Sequence, residues 1–183
     1  MTSIRVVDLD NGDVVLGYVN MTLNEYGEYG IATDVVGALG ITLPANGLVP
    51  SDLAITGAFP ALGGVVGLSS SSSNLGSGSY NFVYLAGTPN VPAGPAVANQ
   101  PSSVNTATGL QTAVSSAFWT YDAITGLLSA HWVNTDGSDP VTEFVYYMPD
   151  NVICLTGDVN AFRNYFGEGS RVALQVMELP NTS

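Results

Sequence analysis

Few residues in this chain are equipped for chemistry. Its 183 residues include one histidine, His131, one cysteine, Cys154, and three arginines, Arg5, Arg163 and Arg171, with no lysine. His131 and Cys154 could in principle pair as base and nucleophile. A nucleophilic thiol needs a cation or a helix N-terminus to lower its pKa, and its base needs an orienting acid. Both residues fall in strand-like sequence, and no acid stands at a spacing that would orient them. Cys154, between Ile153 and Leu155, therefore reads as an inert core residue and His131 as a hydrogen-bonded strand residue. There is no GxGxxG after a strand, no P-loop, no HExxH, no GxSxG and no paired-cysteine metal motif.

The carboxylates are more numerous but not spaced for a task. Asp8, Asp10, Asn11 and Asp13 suggest a calcium loop, yet the glycine is at the fifth position and no glutamate stands at the twelfth. Asn134, Asp136 and Ser138 are spaced like the first three ligands of such a loop, but Asp139 occupies the position that needs glycine. Both read as polar turns, and any divalent cation held there would be weakly bound. A glycosidase would need two carboxylates held at a set separation across a cleft, which turn positions do not supply. The expectation is a protein that is not an enzyme.

Composition narrows the partners. Charged residues make up 10% of the chain, against about 25% in an average globular protein. The net charge of −12 repels nucleic-acid phosphates and anionic lipid headgroups, so neither is an expected partner. Hydrophobic residues reach 46% and come in strand-like runs, which makes disorder a poor reading. No apolar run approaches the ~20 residues of a membrane span. One cysteine makes no internal disulfide. The start of the chain lacks the apolar stretch of a secretory signal, so a soluble, cytoplasmic protein is expected. The acceptor patterns at Asn20–Thr22 and Asn181–Ser183 then read as chance matches.

The elements that must position these residues centre on Ala117–Leu155, which holds both tryptophans, the histidine and the cysteine. It reads as an antiparallel meander of four strands. Asp122–Gly126 is a hairpin loop closed by glycine. Pairing Asp122 with Leu127 sets Tyr121 opposite Leu128, Trp119 opposite Ala130 and Ala117 opposite Trp132. Alternation then puts Trp119, Tyr121, Leu128, Ala130 and Trp132 on a core face. Phe118, Thr120, Ser129, His131 and Val133 share the other, mixed face.

Before this stretch, Ile4–Leu9 and Val14–Leu23 flank a hairpin signal at Asp10–Asp13. The tyrosines of Asn24–Gly30 either stack on a flat ligand or cap an edge of the core. Ile31–Gly67 suggests short strands with frequent turns and no helix. Ser69–Ser79 is low in complexity and reads as a flexible surface loop. Tyr80–Ala86 is a strand. Gly87–Thr112, with four prolines and little strand pattern, would wrap the sheet, cover a pocket or swap into a neighbour. After the centre, Asp158 as N-cap and Gly167 as stop bracket one short helix over 158–166, with Val159, Phe162 and Phe166 on one side. Arg171–Leu179 is the last strand. The expected fold is all-β, one antiparallel β-sandwich domain spanning residues 1–183, with that single helix.

The segments Trp119–Asp122, Thr125–Leu127, Trp132–Ser138 and Leu155–Val159 with Phe162, together with the serine-rich loop and Tyr80–Tyr84, resemble small basidiomycete fruiting-body proteins over roughly the C-terminal 60% of the chain. The likeness is greatest to their coloured chromoproteins. It implies a soluble, β-rich, non-enzymatic holder of a small aromatic, indolone-type chromophore. A fruiting-body lectin is the alternative, since it too would be β-rich and free of a signal. The contacts expected for a flat apolar ligand are Trp119, Tyr121, His131, Trp132, Tyr147 and Met148. A homodimer is also expected, because an open sandwich leaves edges that this chain has no lysine to blunt.

Overall fold

The computed structural model describes residues 2–178. In chain order its elements are β1 (Thr2–Asp8), β2 (Val14–Val19), β3 (Ile31–Ala32), β4 (Ile41–Thr42), β5 (Leu53–Ile55), β6 (Ala61–Val66), β7 (Phe82–Thr88), α1 (Ser103–Thr108), β8 (Val114–Ser115), β9 (Trp119–Tyr121), β10 (Leu128–Ala130), β11 (Glu143–Tyr147), β12 (Val152–Thr156), α2 (Val159–Phe166) and β13 (Ser170–Glu178). The all-β expectation holds. The sandwich does not: eight strands close into an antiparallel barrel in the order β1-β13-β11-β12-β7-β6-β5-β4 and back to β1.

The ring is shut by β1, which pairs β13 from Thr2↔Glu178 to Asp8↔Val172 and meets β4 at Thr2↔Ile41. Closure removes the edges that a sandwich would leave, a direct solution for a chain without lysine. Beyond the ring, β2 pairs the rest of β1 and carries β3, and β8 pairs β6. The outer side of β3 is capped by the Asn151 amide, whose Oδ1 accepts from Ile31 N and whose Nδ2 donates to Ile31 O. The outward backbone groups of Ile31 are thus satisfied within the chain.

Alternation sorts the side chains. Ile4, Val6, Leu62, Val83, Leu85, Phe144, Ile153, Leu155, Val172 and Leu174 fill the interior, which at eight strands is just wide enough for side chains. Phe82, Val145, Val152 and Cys154 point outward and are covered by Val159, Phe162 and Phe166 of α2. That helix starts and stops as expected: Asp158 Oδ1 accepts from Ala161 N at 2.9 Å, and Gly167 follows its last turn. Cys154 is sealed in this layer, and burial pushes its thiol well above the usual range. Asp10 fastens the β1–β2 turn to α2 and β13. It accepts from Arg171 N at 2.8 Å and from the Arg163 guanidinium, contacts that hold its carboxyl below the usual range.

Three further expectations change. The four-strand meander is two separate hairpins, β9–β10 and β11–β12, because β11 gives its other edge to β13 rather than β10. The serine-rich loop is pinned rather than free. Trp132 Nε1 donates to Ser73 O at 2.8 Å, Asn134 exchanges two hydrogen bonds with the Leu75 backbone, and Leu75 is buried in the core. Gly87–Thr112 wraps its own barrel, one of the expected alternatives, with Val91 and Val104 packed on Val65, Ala86 and Val114, but it holds the unforeseen helix α1. The strand expected to reach Leu179 is described to Glu178. Leu179 and the Asn181–Ser183 pattern lie outside the described residues.

Candidate functional site

The hairpin β9–β10 forms in the expected register, with Tyr121↔Leu128, Thr120↔Ser129 and Trp119↔Ala130. Asp122 N donates to Leu127 O at 2.9 Å and Gly126 N to Asp122 O at 2.7 Å. Gly126 has φ +73°, a conformation that favours glycine over any residue with a Cβ. The Asp122 carboxylate accepts from Ile124 N and Thr125 N, which holds it below the usual carboxylate range.

The inward face of this hairpin belongs to the core. Trp119 and Trp132 are each 1% exposed, and the indole N–H of Trp119 donates to Leu62 O at 2.7 Å. Trp119 stacks on Phe144 with ring centroids 5.7 Å apart. Gly64 on β6 makes room for this layer, since a Cβ there would press on Val83, Trp132 and Phe118. Phe118, expected on the mixed face, is buried as well. Its N–H bonds to Ser116 O, a tight turn that breaks the alternation just before β9.

The outward face carries the polar groups. Thr120, Tyr121, Asp122, Ala123, Ile124, Ser129 and His131 line an open groove of about 550 Å³, closed on its other side by Gly47 and Leu48. Tyr121 N donates to Gly47 O at 2.8 Å, and a Cβ at Gly47 would run into the Tyr121 ring, so glycine lets the two segments meet. Tyr121 thus packs against the core on one side and lines the groove on the other. Leu48 and Ile124 are large apolar side chains left 84% and 96% exposed at the groove.

Within the groove runs a hydrogen-bonded relay. Thr120 Oγ1 lies 3.1 Å from His131 Nε2, and His131 Nδ1 lies 2.9 Å from Asp139 Oδ2. Thr120 and His131 are diagonal neighbours across the hairpin, since His131 N bonds to Phe118 O. Asp139 arrives from the Asn134–Pro140 loop. There Asp136 accepts from Ser138 N and Oγ, and buried Asn134 donates to Ser138 Oγ. Hydroxyl, imidazole and carboxylate in this order can polarise a hydroxyl, or fix which partner donates and which accepts.

The six expected contacts do not converge. Tyr121 and His131 meet in the groove, whereas Trp119 and Trp132 are core residues with satisfied indole N–H groups. Tyr147 packs under α2 against Phe162 and Phe166, and Met148 is exposed after it. Thr120, Asp139, Gly47, Leu48 and Ile124 were not among the expected contacts. The hairpin register already set Thr120 and His131 on one face, a signal that pointed to them, whereas no spacing rule links Asp139 to His131. Among the described residues, no group of three or more His, Cys, Asp or Glu converges to hold a metal, and no helix is long and apolar enough to cross a membrane. Comparison with known proteins finds no matching family model, no similar curated protein and no similar solved structure.

Proposed function

We propose that this protein is a non-enzymatic holder of a small, flat, largely apolar molecule of the indolone pigment type, and that the ligand sits in the groove on β9–β10. The observation that carries the reading is the groove itself. Its volume of about 550 Å³ suits a small aromatic ligand, and its lining joins an aromatic ring, exposed aliphatic side chains and a few converging polar groups. The barrel interior is a less suitable holder, because the core side chains fill it. The visible absorption spectrum of protein purified from its native source tests the reading. A visible band is expected in the wild type and a much weaker one in Tyr121→Ala. A colourless native protein removes the pigment.

A second reading, carbohydrate binding, draws on the openness of the groove and on the hydroxyls and carboxylate at Thr120, Ser129 and Asp122 beside Tyr121. Glycan-array binding that is lost in Tyr121→Ala would favour it. We also propose the expected homodimer, which light scattering at physiological salt tests: a mass near one chain at micromolar concentration ends it.

A further inference from the structure

We infer that the groove selects ligands that present a hydrogen-bond donor, an N–H or O–H, and that Thr120 Oγ1 is the acceptor that receives it. The inference rests on the groove being the ligand site, as proposed above.

The Asp139 carboxylate can only accept, so its 2.9 Å contact with His131 Nδ1 places a hydrogen on Nδ1. A neutral imidazole carries one N–H, so Nε2 is left with a lone pair. The 3.1 Å contact between Nε2 and Thr120 Oγ1 is then donated by the hydroxyl. Threonine has one hydroxyl proton, and the relay consumes it. What Thr120 offers to the groove is a lone pair.

Backbone donors along the groove are spent in the same way, while the Tyr121 and Ser129 hydroxyls can each donate or accept and fix no polarity. Leu48 N donates to Asn46 Oδ1, Tyr121 N to Gly47 O, Asp122 N to Leu127 O, and Ile124 N and Thr125 N to Asp122 Oδ1. Asp122 itself is a carboxylate that can only accept. Asp122, Asp136 and Asp139 are the charged groups carried by the hairpin and the loop around His131, and the Asn46–Val49 segment brings no titratable side chain. At Thr120 the groove therefore presents an acceptor, and its carboxylates repel anions. A neutral planar heterocycle with one N–H on its edge meets it well, while the same ring with only an oxygen acceptor leaves Thr120 Oγ1 facing another lone pair.

Protonation of His131 reverses the polarity. An imidazolium donates from both nitrogens, so Nε2–H points at Thr120 Oγ1 and the hydroxyl proton turns free to donate. The same groove then favours an acceptor on the ligand.

Three matched probes test this by NMR titration of the intact protein: indole, which has the N–H, 1-methylindole, which lacks it, and benzofuran, which offers only an oxygen. At a pH where the ring signals of the chain's one histidine report a neutral imidazole, indole should bind about five- to tenfold more tightly than 1-methylindole, the effect of one neutral hydrogen bond. Thr120→Val should bind both equally, and Thr120→Ser should keep the preference, which separates a lost hydroxyl from a misfolded groove. Acidification until the ring signals of the chain's one histidine report protonation should weaken indole relative to benzofuran. Equal affinity for indole and 1-methylindole in the wild type, or a preference that survives in Thr120→Val, overturns the inference while leaving the groove as a site. If no probe shifts the signals of Thr120, Tyr121 and His131, the groove is not the ligand site and both readings fall.

Discussion

The core and the groove meet at the two faces of one short hairpin and the residues just after it. Inward go Trp119, Leu128 and Trp132, close-packed, with each indole N–H matched to a backbone carbonyl. Outward go Thr120, Ser129 and His131, small or polar, beside an open hollow. The contrast teaches that bulk and function separate here. The aromatic side chains that draw the eye in the sequence supply the hydrophobic drive for folding. The chemistry of the other face comes from side chains of ordinary size whose donors and acceptors are set by their neighbours.

The sharpest way to break this contrast is to truncate an inward indole. Trp119→Ala or Trp132→Ala should lower stability by about 3–5 kcal/mol in chemical denaturation. Thr120→Val, one residue away on the opposite face, should cost no more than about 1 kcal/mol, the loss of its hydrogen bond to His131. Similar losses for both would mean the two faces are not distinct. A smaller effect is expected from filling space rather than emptying it. Gly64→Val should cost about 1–3 kcal/mol and disturb the Trp fluorescence, because the added carbons press on Trp132 and Phe118. A neutral result would show that the interior has slack.

The pH dependence of stability sharpens the comparison at lower amplitude. Buried Glu28 titrates above its usual range because burial disfavours its charge, so acidification through that folded-state value should relieve a penalty present at neutral pH. Asp10, Asp122, Asp136 and Asp158 titrate below theirs, each held chiefly by hydrogen bonds. Their contribution is present above the unfolded aspartate pKa of about 3.9 and is lost as pH falls through the folded values. The melting temperature should therefore hold or rise slightly into mild acid and then fall below about pH 4. Glu28→Gln should remove the mild-acid rise and leave the later fall. The smallest effect expected is none: hydrolysis of an activated ester should be unchanged in Thr120→Val and His131→Ala. A several-hundredfold loss in either would turn the relay into a catalytic device and end the non-enzymatic reading.

Local rules carried much of this structure. The Asp122–Gly126 loop set the hairpin register, and with it the burial of both tryptophans and the shared face of Thr120 and His131. Asp158 and Gly167 bracketed α2. What stayed hidden was non-local. Nothing in β1 or β13 alone announces that they pair, and that ladder is what makes a barrel rather than a sandwich. The serine run looked free because its tethers, Asn134 and Trp132, lie about sixty residues away in sequence. Asp139 reaches His131 through the fold of a turn, so alternation along strands could not assign it to the site.

The seam between β1 and β13 also constrains how the chain reaches its native state. Seven residue pairs, from Thr2↔Glu178 to Asp8↔Val172, join segments at opposite ends of the described chain. During synthesis β1 emerges well before β13 and must wait for this partner until almost all of the described sequence has left the ribosome. Contacts of such large sequence separation place the protein among the slower folders, on a millisecond-to-second scale or beyond. Until the seam forms, the nascent barrel is an open sheet whose apolar strand is unpaired on that side, the interval in which aggregation or chaperone capture competes with closure.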